Sequence, residues 1–96
     1  MRVEYDPRKN EANFEKHGLW FEGVEDLDWD TVLFRRDNRR VYGEVRLVAF
    51  VMKDDRLHVV CLTLRGDDIV RVFSFRKANK REIKDYEQER TSATDR

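Results

Sequence analysis

One cysteine, one proline, four glycines and two histidines occur among 96 residues. With Cys61 alone, no disulfide can close within the chain. The thiol lies in the apolar run Val59-Val60-Cys61-Leu62, where a buried, inert sulfur is expected; a catalytic thiol wants an electropositive, partly exposed setting. Two histidines far apart, without a cysteine partner, make a poor zinc site, so neither metal nor cofactor is expected. No apolar run approaches the ~20 residues of a spanning helix, and Met1-Arg2-Val3-Glu4-Tyr5-Asp6 lacks a signal-peptide core. A cytoplasmic protein with no membrane role is the expectation. Repeats and low-complexity linkers are missing too. The length suits one domain, taken as residues 1–90 with a polar tail at 91–96.

Net charge is also missing, but only on average: 20 basic residues balance 20 acidic ones. Residues 1–34 hold four basic and nine acidic side chains, a net of −5, and residues 35–96 hold 16 basic and 11 acidic, a net of +5. Such asymmetry suits a polyanionic partner for the basic part, or attraction between the halves within the fold.

What is present reads as an ordered α+β domain. Val3–Asp6 alternates as a short strand. Asp6-Pro7 starts a helix that runs to His17 and stops at Gly18, with only Ala12 and Phe14 offering burial. Phe21, Val24 and Leu27 repeat at helical spacing in a second short helix, which Asp28-Trp29-Asp30 ends. Thr31–Phe34 is β-prone. Three stronger strands follow at 44–53, 56–65 and 69–76, joined by Asp54-Asp55 and Gly66-Asp67-Asp68, so an antiparallel meander is expected. A helix over 77–89 closes the domain, with Ala78, Ile83 and Tyr86 toward the sheet.

Several stretches resemble the BrnT toxins. Tyr5-Asp6-Pro7-x-Lys9, Asn13-x-x-Lys16-His17-Gly18 and Phe21-Glu22 look like that family's opening. Tyr42-Gly43-Glu44-x-Arg46 looks like the entry to its second strand. Arg71-x-Phe73-Ser74-x-Arg76-Lys77-Ala78, with Arg81-Glu82 and Tyr86, looks like its last strand and helix. Tyr5 stands where the family often has tryptophan. The resemblance implies a small antiparallel sheet with two N-terminal helices and one C-terminal helix, similar to the RelE ribonucleases. It also implies a type II toxin that cleaves RNA to arrest translation. A BrnA-like antitoxin would neutralise it, with DNA reached only through that partner; a toxin homodimer within the complex is compatible with this.

Metal-free RNA cleavage removes a proton from the 2′-hydroxyl, gives one to the 5′-oxygen and stabilises the crowded phosphate. Arginine's fork suits the phosphate. Arg46, Arg65, Arg71 and Arg76 fall on or near strand ends. Alternation puts Arg71 and Arg76 on opposite faces unless the strand bulges or twists. Arg76 is the favoured phosphate contact, against an equal case for a plain ion pair with Glu82; Arg71 reads more readily as structural. Lys77, Lys80, Arg81 and Lys84 form a basic stripe that can track phosphates or simply face solvent. Tyr86 can stack on a base or donate a proton, or else anchor the helix. His17 is a candidate acid or base, or a helix cap, whereas His58 reads as a sheet-surface residue. Trp20, Phe21 and Trp29 are either core or a docking patch for a protein partner. A non-catalytic binding module, or a toxin with a decayed site, is the competing reading.

Overall fold

The computed structural model describes residues 1–94. The elements are β1 (Arg2–Glu4), α1 (Pro7–His17), a 3-10 helix (Phe21–Asp26), β2 (Asp28–Arg36), β3 (Leu47–Lys53), β4 (Arg56–Leu64), β5 (Ile69–Lys77) and α2 (Lys80–Thr94). They form an α+β domain around one five-stranded sheet of order β1-β5-β4-β3-β2. Strands β2 to β5 make the expected antiparallel meander. The exception is β1, which pairs parallel with β5, Arg2 opposite Ile69, so the sheet is mixed. Parallel neighbours need a long connection, and here it is nearly the whole chain.

The turns follow residue chemistry. Asp54 and Asp55 both adopt positive φ, 51° and 61°, the geometry of a two-residue hairpin turn. At α1, the Asp6 carboxylate accepts the Arg8 N–H at 2.9 Å, Pro7 holds the first turn, and Gly18 ends the helix at φ 73°. Asp28-Trp29-Asp30, expected to end the second helix ahead of a strand at Thr31, themselves open β2, and the 3-10 helix stops at Asp26. Helix α2 begins at Lys80, after Asn79, and runs to Thr94, so the first residues of the expected polar tail are helical. Residues 95–96 of that tail lie outside the described residues.

Helices cover both faces. On one side Phe21 and Val24 of the 3-10 helix pack on Ala49, Val51, Val60, Leu62, Val72 and Phe75. On the other, Ala78, Ile83 and Tyr86 pack on Leu57, Val59 and Phe50. Helix α1 docks differently from expectation: Ala12 is exposed and Phe14 is 39% exposed, while Asn10 and Asn13 are buried. Asn10 accepts the Phe21 N–H and donates to Glu22. Asn13 donates to the carbonyls of Phe75 and Leu19 and accepts the Phe75 N–H. Because β1 pairs with β5 only as far as Arg71, Asn13 acts as a one-residue strand beyond it.

Candidate functional site

Strand β5 sets the positions of the basic residues. Cys61 pairs with Ser74 but Leu62 pairs with Val72, so Phe73 is an extra residue in a bulge. The bulge reverses the alternation: Arg71 opposes Thr63 and Arg76 opposes Val59, both on the α2 face. Four β4 residues separate them, about 13 Å, too far for one phosphate. Arg71 makes no ion pair among the described residues. Arg76 grips Glu82 through Nη1 and Nη2 at 2.8 and 2.9 Å, which raises its pKa further. Lys77 is the next residue and opposes His58 rather than Val59, so it projects to the other face.

Both histidines come to this end of β5. His17 ends α1, half-buried; burial, and then the charges of Lys16 and Arg76, pull its pKa below the usual 6.5. His17 thus lies within electrostatic reach of Arg76. His58 is buried at 7% exposure, its ring 5.6 Å from that of Phe75, not on the sheet surface as expected. Its Nδ1 lies 2.9 Å from the Arg56 carbonyl oxygen. A carbonyl only accepts, so Nδ1 carries the proton and Nε2 is left with its lone pair. Burial lowers the pKa most; the Arg56 hydrogen bond opposes it, and Lys77, Arg56 and Lys53 add to the depression. The sequence signal for His58 was its alternation with Val60 and Leu62, which places an imidazole on a core-facing row.

The remaining cations do not join them. At the opposite end of β4, the Arg46 guanidinium lies over the rings of Tyr42 and Phe73, at 4.1 and 3.7 Å, and 3.4 Å from Glu44. Arg65 approaches the same carboxylate at 4.0 Å. Between the two ends stands Arg39, which sequence reasoning passed over. It binds the buried Asp37 at 2.9 and 2.7 Å and reaches the Cys61 sulfur at 3.9 Å. Arg39 and the Tyr42 hydroxyl hold the Asp37 carboxyl far below the usual carboxylate range.

Other expected roles need correction. Tyr86 is buried, and its hydroxyl donates to the Thr31 carbonyl, so it neither stacks on a base nor supplies a proton. Lys80, Arg81 and Lys84 are exposed; at 100° per residue Lys84 lies about 160° around the helix from Tyr86, so the stripe faces away from the sheet. Phe21 is fully buried and belongs to the core. Trp29 is half-buried, its indole N–H donating to the Val24 carbonyl at 3.0 Å. Only Trp20 of the three is open, 43% exposed and stacked on Phe14 at 4.1 Å. A single pocket holding all the expected cations is not formed. No cluster of His, Cys, Asp and Glu able to hold a metal occurs among the described residues, and no helix there is long and apolar enough to cross a membrane.

Beside His58, between the 3-10 helix and the β3–β4 turn, a cavity of about 660 Å³ opens. Its strand-side wall carries Lys53, Arg56 and Lys77, and its helix-side wall Trp20, Glu22 and Asp26.

Comparison with known proteins follows the same lines. The family model described as the ribonuclease toxin BrnT of type II toxin–antitoxin systems matches residues 5–82. No curated protein matches. Among solved structures, the chain is similar to the 1.1 Å crystal structure of the Brucella abortus ribonuclease toxin BrnT. That similarity has 26% identity and a TM-score of 0.60, and it covers 83% of this chain and 99% of that one. The segments that carry the family pattern are those that build the sheet, the 3-10 helix and the start of α2, and this chain belongs to the BrnT family of type II toxin–antitoxin ribonuclease toxins.

Proposed function

We propose that the chain is a metal-independent endoribonuclease whose reaction takes place at the C-terminal end of β5. The observation that carries this reading is that α1 packs on β5 through Asn13 and Phe75, which brings His17, whose pKa is lowered first by burial, within electrostatic reach of Arg76. Neutral His17 takes the 2′-hydroxyl proton, and the 2′-oxygen attacks the adjacent phosphorus. Arg76 uses the N–H groups that Glu82 leaves unbonded to stabilise the charge on the non-bridging oxygens. The bond to the 5′-oxygen breaks, giving a 2′,3′-cyclic phosphate and a 5′-hydroxyl. With Tyr86 committed to Thr31, that departing oxygen takes its proton from water. Dependence on the 2′-hydroxyl explains a restriction to RNA. Arg71 and Lys77 contact flanking phosphates; Arg46 and Arg65 do so farther along the sheet.

The partner in this reading is a BrnA-like antitoxin, through which alone the toxin reaches DNA. The stacked pair Phe14 and Trp20 gives that antitoxin an exposed aromatic docking point. A competing reading, a binding module without catalysis, draws on the carboxylate partners of Arg76, Arg46 and Arg65. Purified protein incubated with RNA in EDTA separates the two. Cleavage that persists with the chelator and is lost in Arg76→Ala and His17→Gln supports the nuclease. Intact RNA alongside tight binding of the neighbouring gene's product supports the binding module. Growth arrest on induction, relieved by that neighbour, tests the toxin assignment itself.

A further inference from the structure

The cavity beside His58 lies on the opposite face from Arg76 but borders the same strand end, because Arg76 and Lys77 are consecutive and point apart. Its volume of about 660 Å³ falls within the range of small-molecule sites. Its walls are chemically unlike. The strand-side wall brings Lys53 and Arg56, directly paired across the hairpin, next to Lys77 and His58, directly paired across β4 and β5. None of these three cations has a salt bridge among the described residues. Of the carboxylates that line the cavity, Asp54, in the turn, is the one on this wall. The helix-side wall presents Asp26, whose carboxylate makes no hydrogen bond or ion pair among the described residues, and Glu22, which Asn10 already engages. Trp20 borders the cavity while Phe14 covers one face of its indole.

His58 supplies an independent indication that something binds. The residue is more than nine-tenths buried and lines the cavity, yet Nε2 has no hydrogen-bond partner among the described residues. Nε2 is not sealed off, since Glu4 Oε2 and not this nitrogen is the fully buried, unpartnered side-chain atom among the described residues; Nε2 therefore stays accessible and can accept from a ligand hydroxyl or water. A cationic wall, an acidic wall, an aromatic ring and a bare acceptor together match one class of molecule. A nucleotide has a phosphate for the cations, a ribose hydroxyl for Nε2, a base to stack on Trp20, and base amino or imino donors for Asp26.

We infer that this cavity is a nucleotide subsite, binding one RNA nucleotide next to the scissile bond and favouring a base that presents amino or imino donors to Asp26. The ligand's identity as RNA rests on the ribonuclease reading. The site therefore contributes base preference: guanine, with adjacent N1–H and N2–H donors, suits a carboxylate, and uracil lacks the amino group.

The test is calorimetric titration of the whole protein with GMP, UMP and inorganic phosphate, together with proton NMR of the two histidine rings. Expected is saturable GMP binding with Kd below about 1 mM, at least threefold weaker UMP binding, and weaker phosphate binding still. Bound phosphate among Lys53, Arg56 and Lys77 raises the midpoint of the His58 ring signal more than that of His17. Trp20→Ala and Lys53→Ala, both side chains outside the buried core, each weaken GMP about tenfold. Absence of GMP binding up to several millimolar, or phosphate binding as tightly as GMP, or equal binding by both variants, overturns the subsite. RNA cleavage measured on the same samples separates the two readings. A protein that cuts RNA but ignores GMP refutes the subsite alone; one that binds GMP selectively but cuts nothing refutes the nuclease and leaves the pocket standing.

Discussion

Asn79 and Glu82 cap each other. The Asn79 side-chain oxygen accepts the Glu82 N–H at 2.8 Å, and the Glu82 carboxylate accepts the Asn79 N–H at 2.9 Å, a capping box at the start of α2. The same carboxylate holds Arg76, and that guanidinium is the main reason its pKa falls below the usual value. One side chain thus fixes where the last helix begins and where Arg76, the proposed phosphate contact, points.

These two jobs separate by mutation. Asn79→Ala removes only the cap and lowers stability by about 1 kcal/mol, read from the urea midpoint. Glu82→Gln keeps an acceptor for the Asn79 N–H but frees Arg76 from its ionic partner. RNA affinity at low salt rises severalfold, with a steeper salt dependence, measured by filter binding. Unchanged affinity in Glu82→Gln would mean that RNA does not use Arg76.

Asn13→Ala strips partners from both main-chain polar groups of Phe75. Each buried unpaired group costs about 1–3 kcal/mol, so the variant loses about 2–6 kcal/mol. Hydrogen exchange at the Phe75 amide accelerates more than at the centre of β4. A loss below 1 kcal/mol would show that water replaces the asparagine without penalty.

Asp37 ties Arg39 and Tyr42 together at the start of the segment joining β2 to β3. Asp37→Ala leaves a largely exposed arginine that water can solvate, but also an unpaired tyrosine hydroxyl; about 2–3 kcal/mol is lost. Proteolysis then begins within residues 38–46. Cleavage elsewhere, or native stability, counts against this anchor.

Stability depends on pH through the same groups. The pKa values of His17 and His58 are lowered in the folded state, so the unfolded chain takes up protons first as pH falls. Their contribution is complete above about pH 6.5 and declines below it, toward their folded values. Glu22, Glu82 and Asp37, also lowered, add a second decline below their ordinary values near 4.5 and 3.8. Thermal melts from pH 8 to 3 therefore fall in two stages, and His58→Gln flattens the first. A single decline confined below pH 5 would contradict the burial of His58.

Much of the fold was legible where a local cause acts alone. Asp6, Pro7 and Gly18 mark α1 by their own backbone chemistry, and Asp54-Asp55 marks a hairpin. The parallel pairing of β1 was not legible, because nothing near residue 3 encodes a partner near residue 70. The α1 docking mode was missed because two asparagines, not an apolar stripe, attach the helix. At the site, the bulge at Phe73 overturned the alternation that assigned Arg71 and Arg76 to opposite faces. Arg39 was hidden because the burial of Asp37, two residues before it, and the approach of Cys61, 22 residues after it, arise only in the fold. His17 could be nominated from its place at a helix end, but the charge of Arg76 reaches it only because the fold docks α1 on β5.

The parallel ladder between Arg2 and Ile69 also sets a timetable. The first strand is synthesised 67 residues before its partner, and Asn13 waits nearly as long for Phe75. At ordinary elongation rates that interval is about 3 to 13 s, during which β5, with Arg76 and Lys77, does not exist. On the proposed nuclease reading, a nascent chain lacks its reacting strand until β5 has been made, so products truncated before residue 69 are expected not to cleave RNA.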